Sequence, residues 1–206
     1  MARNGSKGGI RARIAAAAAR IMAEDGIDDF ALAKRKAARQ LGVDVNHSLP
    51  RNDEIEAELR TYRALYQPLD HAANLVELRS AALEAMRALE RFKPYLTGPV
   101  LKGIAGPHAA IELQLFPENS KDVELFLLEH AIDYSTHQSR RFAGDRAHPV
   151  SGLKFDWNGV AFRLSVFDPR DERLVLKTSV AGRVLERAGI REVAALLGRE
   201  HGAAQA

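Results

Sequence analysis

The chain predicts an α+β fold in which a helical N-terminal region precedes a mixed α/β unit. Three observations lead there. Apolar residues recur at helical spacing through the first 92 residues, punctuated by Gly26 and Gly42. After Pro94, short β-type runs such as "AIELQLF" alternate with a helical run, "SKDVELFLLEH". Further on, Asn158-Gly159 separates two alternating segments, as in a tight hairpin. The expected division is an unstructured start over 1–9, a helical region over 10–92 and an α/β unit over 93–206.

Each element has its own local reason. In "IRARIAAAAARIMAEDG" alanine favours the helix, Ile10, Ile14 and Ile21 share a face, and Gly26 ends it. In "DDFALAKRKAARQLG" Asp28 or Asp29 serves as cap, Phe30, Leu32 and Leu41 supply apolar contacts, and Gly42 stops the helix. "NDEIEAELRTYRALY" opens with acids, which suit a helix N-terminus, and Ile55, Leu59, Tyr62 and Tyr66 form its stripe. "LVELRSAALEAMRALERF" sets Leu75, Leu78, Ala82, Leu83, Met86 and Leu89 on one side.

In the second half, "YLTG", "AIELQLF" and "IDYS" read as strands, with a helix capped by Ser120 after the second. "HQSRRFAGDRAHP" reads as a polar, basic loop, and "GLKFDWNGVAFRLSVFDP" as a hairpin. Helices around Val180–Arg187 and Ile190–Leu197 close the chain.

Composition narrows the chemistry. The absence of cysteine excludes disulfides and thiol catalysis. No run approaches the roughly 18 apolar residues a span requires, so no membrane partner is expected and a cytoplasmic, bacterial-type protein is. The net charge is +3, but residues 1–40 hold nine Lys/Arg against four acids. A polyanion contact would therefore begin at the N-terminal end, with Lys34, Arg35, Lys36 and Arg39 as its candidates. Walker, G-x-G-x-x-G, G-x-S-x-G and H-E-x-x-H motifs are all missing, and the seven histidines lack metal-ligand spacing.

The most informative stretch is "GPVLKGIAGPHAAIELQLF", Gly98 to Phe116. Gly98 and Gly103 frame a short turn, Lys102 precedes the second glycine, and Ala105, Ile111 and Leu113 complete a glycine-turn-strand pattern. This stretch resembles the signature of the nucleotidyltransferase superfamily, the fold shared by DNA polymerase β-like enzymes and small bacterial nucleotidyltransferases. The resemblance implies a nucleotidyltransferase-like domain in which the glycines approach phosphates and strand carboxylates two residues apart hold Mg²⁺.

At the carboxylate positions the chain departs from that signature. Pro99 stands for the serine and Ala110 for the first carboxylate, while Glu112 matches the second. On the later strand the third carboxylate falls on Arg163 or Ser165, with Asp168 near the strand's end. Gly98, Lys102, Gly103, Gln114 and Arg163 are the candidate nucleotide-binding residues, and His108 could likewise hold a phosphate. The leading expectation is a catalytically degenerate nucleotidyltransferase-like protein that binds a nucleotide or nucleic acid and needs no cofactor. The alternative is an active enzyme with Glu112 as catalytic residue and Glu112 and Asp168 holding Mg²⁺.

Arg140 and Arg141, with Arg146 and His148, could clamp a polyanion from the loop they are expected to form, and Trp157 could stack a base. The run "RARIAAAAARIMAEDGIDDFALAKRKAARQLGV" resembles the start of TetR-type repressors, which implies a DNA-binding regulator as a third reading. The acidic helix after Gly42, where a basic recognition helix belongs, opposes entry into a DNA groove.

Overall fold

A computed structural model describes residues 4–43, 49–143, 146–177 and 184–204. The fold is α+β, with seven α-helices and one five-stranded mixed sheet among the described residues. No helix among them is long and apolar enough to cross a membrane. The chain forms two compact units: Met1–Asn74 with Gly103–His108, and Leu75–Lys102 with Ala109–Ala206.

The first unit is built on α1 (Asn4–Glu24), α2 (Phe30–Gln40), α3 (Asn52–Tyr66) and the first turns of α4 (Pro68–Ala88). Helix α1 begins at Asn4, inside the Gly-rich segment expected to be unstructured. Propagation from an Ala-rich helix gains one hydrogen bond per residue added, which carries it through Gly8 and Gly9. The core joins Ile14, Ala18 and Met22 of α1 to Ala33 and Ala37 of α2, Ile55 and Leu59 of α3, and Ile104. Alanine at the helix contacts lets these backbones approach closely.

Local chemistry sets the helix ends. The Asp29 carboxylate accepts from the backbone N–H of Ala31 (2.7 Å) and Leu32 (3.1 Å), and Gly42 leaves α2 at φ +65°. At the start of α3 the Arg51 backbone N–H donates to Glu54 (2.7 Å). Arg11 of α1 donates through Nε to both Glu54 oxygens, at 2.8 and 3.0 Å. Hydrogen bonding to Arg11 holds the Glu54 carboxyl down at about 2.

Buried polar side chains tie the 103–108 segment into this unit. Arg63 donates to the Ile104 carbonyl, His71 Nε2 hydrogen-bonds the Gly103 carbonyl (3.1 Å), and Asn74 Nδ2 donates to that of Ala105 (3.4 Å). Arg63 is 4% exposed, and burial lowers its pKa from the usual arginine value.

The second unit is organised by its sheet. Its strands are β1 (Tyr95–Thr97), β2 (Ile111–Leu115), β3 (Tyr134–Ala143), β4 (Arg146–Trp157) and β5 (Val160–Val166), in the order β1-β2-β5-β4-β3. Strands β2 and β5 run parallel and every other neighbouring pair antiparallel. Asn158 (φ +51°) and Gly159 (φ +79°) make the two-residue β4–β5 turn, as expected from the sequence.

Alternation sorts the side chains. Leu96, Ile111, Leu113, Leu115, Leu153, Phe155, Phe162, Leu164 and Val166 make a buried apolar face. Phe155 and Phe162 stack on it with centroids 5.5 Å apart. Trp157 lies 6.1 Å from Phe162 and 6.2 Å from Phe126 of α6 (Lys121–Glu129), so the aromatic beside the turn packs against neighbours.

Three local expectations are corrected. Residues 138–143 and 146–148 continue β3 and β4 as a long hairpin, where the sequence had suggested a loop. Ladder hydrogen bonds use the backbone alone, so these polar strands lack the apolar alternation that sequence reading relies on. The Ser120 side chain makes no capping bond to α6; Asn119 Oδ1 accepts from the Lys121 N–H instead (3.2 Å). The helix expected over 180–187 falls partly outside the described residues. Within its described part Val184 makes a β-bridge to Lys177, and Ala188 just beyond bridges Leu96, so 184–188 is not helical. The last helix, α7, runs over Ile190–Ala204.

Candidate functional site

The second face of the sheet collects the polar side chains. Pairing sets Thr97, Glu112, Arg163, Lys154 and Ser135 along one rung from β1 to β3. The adjacent rung carries Tyr95, Gln114, Ser165, Gly152 and His137. Part of this face is covered. Phe116, Val150, Phe167 and Leu176 form a buried cluster against which Tyr95 and Leu185 pack, and Phe116 stacks on Phe167 at 5.2 Å. The Glu112–Arg163–Lys154 rung remains accessible: the Arg163 side chain is 49% exposed and that of Glu112 37%.

The helix α5 (Gly98–Lys102) is held beside β1 and β2. Buried Arg79 of α4 donates to the carbonyls of Val100 (3.1 Å) and Leu101 (3.0 Å) and pairs with Glu200 of α7. Gly98 adopts φ +71°, and a Cβ there would stand 2.6 Å from Glu112 Oε2. Glycine thus serves twice, in the left-handed turn and in close approach to the carboxylate.

Glu112 is 3.9 Å from the Arg163 guanidinium, and Lys154 is the β4 partner of Arg163. Gln114 is 4% exposed, and its Oε1 has no partner among the described residues. His137 lies across Gly152: a Cβ at 152 would fall 2.1 Å from His137 Cε1. Burial first, then the charges of Lys154, Arg163 and Arg141, hold this imidazole below the ordinary histidine value. Its Nδ1 is buried with no partner among the described residues.

The face thus gathers the expected Glu112, Gln114 and Arg163 beside Gly98, with Arg141 close enough to act on His137. Lys102 closes α5, and Gly103 follows it at φ +69° within the first unit. His108 is exposed, also in the first unit. Asp168 lies two residues beyond the end of β5, and its carboxylate accepts from the Arg170 N–H (2.8 Å) to cap a 3₁₀ turn. It is therefore engaged away from the Glu112 rung. Arg140 lies on β3 opposite Pro149, its side chain outside the described residues, as are those of Arg146 and His148.

The basic residues of α2 are dispersed. Ala33, Ala37 and Ala38 form its buried side, which turns Arg35, Lys36 and Arg39 outward. Lys34 donates to Asn52 Oδ1 (2.7 Å) and Lys36 pairs with Asp25 (3.3 Å). Lys34 and Arg35 line an open cleft of about 780 Å³ together with Asp28 and Asp29, so both signs of charge meet there.

The donor set does not suit a divalent cation. Ala110 offers no ligand, the one acid on the central rung faces Arg163, and Lys154 adds a second positive charge beside it. Among the described residues no group of three or more His, Asp or Glu side chains could hold a metal ion. With the His137 imidazole on the adjacent rung, the face presents guanidinium, ammonium and imidazole groups whose chemistry suits an anion rather than a cation.

Lys154 and His137 were missed by the sequence reading. Every residue from Ser135 to Arg141 is polar, so no alternation marks the strand that carries His137, while Lys154 lies on an expected strand whose neighbours emerge only with the pairing. Comparison with protein-family models, curated proteins and solved structures found no significant match to the chain.

Proposed function

We propose that this chain is a catalytically degenerate nucleotidyltransferase-like protein that binds a nucleotide, or the phosphates of a nucleic acid, on the polar face of its sheet. One observation carries the reading: Arg163 stands beside Glu112, with Lys154 next to Arg163 on the following strand, where the family pattern would gather carboxylates around Mg²⁺. The glycine frame supports it, since Gly98 brings the start of α5 against the Glu112 side chain.

In the family mechanism the metals neutralise triphosphate charge. Here the neutralising charge would come from the protein, Arg163 offering a bidentate fork and Lys154 a mobile point charge. Such a site grips phosphate without activating a nucleophile, because its central rung offers a single acid, Glu112, and that acid faces Arg163.

Titration of ATP into wild type, Arg163→Met and Lys154→Met in metal-free buffer tests the reading. Each substitution removes a charge-assisted contact worth about 1.5–3 kcal/mol, so each should weaken ATP on the order of tenfold or more. The same affinity in both variants as in wild type would place the ligand elsewhere.

A further inference from the structure

We infer that the open half of the polar face binds a phosphate dianion, and that its binding is coupled to proton uptake by the imidazole of His137 lying across Gly152. The inference rests on the reading of this face as the ligand site, and adds to it the ligand's charge state and a means of regulation.

Geometry supplies the argument. Gly152 is the one position on its rung without a side chain, and the His137 ring fills that space, closer than any Cβ would allow. The ring is thereby brought over β4 and toward β5, among the cations that the open face presents. The charged groups facing it are Arg141 on its own strand, Lys154 on β4 and Arg163 on β5. The nearest acid on the neighbouring rung is Glu112, which is engaged by Arg163, while Asp156 lies one step further along β4 on the same face. Burial of the ring first, then these three cations, hold its pKa below the ordinary histidine value, and its Nδ1 has no partner among the described residues.

A dianion between Arg163 and Lys154 reverses that balance. It cancels the repulsion and offers the imidazolium a counter-charge, so the pKa of His137 rises on binding. By reciprocity, protonation of His137 tightens the anion. The sign follows directly. The bound-state pKa is the higher one, so the extra affinity is fully present below the free-state pKa and disappears as pH rises through the bound-state value. A phosphate monoester or terminal polyphosphate provides the two charges, whereas a phosphodiester backbone offers one per unit.

Sulfate is the cleanest probe, because it stays a dianion throughout the range of histidine titration. Sulfate should bind on the order of tenfold more tightly at about pH 5 than at about pH 8. In His137→Asn, which keeps a polar side chain but cannot titrate, the ratio should fall to near one. In wild type, the NMR titration midpoint of the His137 Cε1–H should move upward when sulfate is added. Competition at about pH 8 by pyrophosphate and by ATP separates the sources of the dianion: equal displacement marks the phosphate alone as the recognised group, and stronger displacement by ATP marks a nucleotide.

Sulfate binding that stays flat with pH overturns the coupling while leaving the anion site standing. A pH response retained in His137→Asn overturns it as well. Failure of sulfate, pyrophosphate, ATP and a short RNA to bind at any pH overturns both this inference and the functional reading beneath it; binding of a short RNA alone overturns this inference and leaves the nucleic-acid form of that reading standing.

Discussion

Two glycines make the polar face what it is, each through the side chain it lacks. Gly152 leaves room for an imidazole, and Gly98 lets a helix start against a carboxylate in a backbone conformation that L-residues resist. Gly98→Ala would meet the far end of Glu112, which can swing aside, so the main cost is the left-handed φ of +71°. That places the expected loss at about 1–2 kcal/mol, read as a lower urea midpoint with unchanged slope. A loss near zero would mean that the turn relaxes to another conformation. At this scale the sequence was legible where a residue has one dominant role: Gly26 and Gly42 end their helices, Asp29 caps α2, and Asn158-Gly159 turns the hairpin. It was illegible where two neighbours compete for a role, as when Asn119 rather than Ser120 makes the hydrogen bond at the start of α6.

Elements were legible in proportion to the apolar periodicity they need. Helices α1 to α4 and strands β2 and β5 each bury one side, and each was expected near its observed place. The distal part of the β3–β4 hairpin is held by its ladder, and the 184–188 segment by bridges from Val184 and Ala188, so neither carried an apolar period to read. The helix α5 is a further case, because five residues cannot sustain a helix alone and a tertiary clamp does so instead. Arg79, 6% exposed, supplies that clamp by donating to two α5 carbonyls and pairing with Glu200. Arg79→Met retains much of the volume but strands both carbonyls and leaves the Glu200 carboxylate without this partner. Chemical denaturation should register a loss of about 2–4 kcal/mol. A loss below about 1 kcal/mol would show that water replaces the clamp at little cost.

For the whole molecule, an α+β fold was legible from the change of period after Pro94, and the five-stranded mixed order emerged only with the pairing. The candidate site was legible in part for the same reason. Glu112, Gln114 and Arg163 could be assigned to strands from local pattern, but that Arg163 faces Glu112, and that Lys154 and His137 join them, depends on which strands are neighbours. Strand order is a long-range property, and a strand's own sequence specifies its faces better than its partners. On the proposed reading, Arg163 and Lys154 of the polar face supply the positive charge that a metal ion would otherwise bring to a phosphate. Calorimetric titration of ATP into the full chain, once in EDTA and once in excess Mg²⁺, tests that claim most directly. The account predicts binding in EDTA that Mg²⁺ leaves unchanged or weakens, with no pyrophosphate released; binding seen only with Mg²⁺, accompanied by pyrophosphate release, would contradict it.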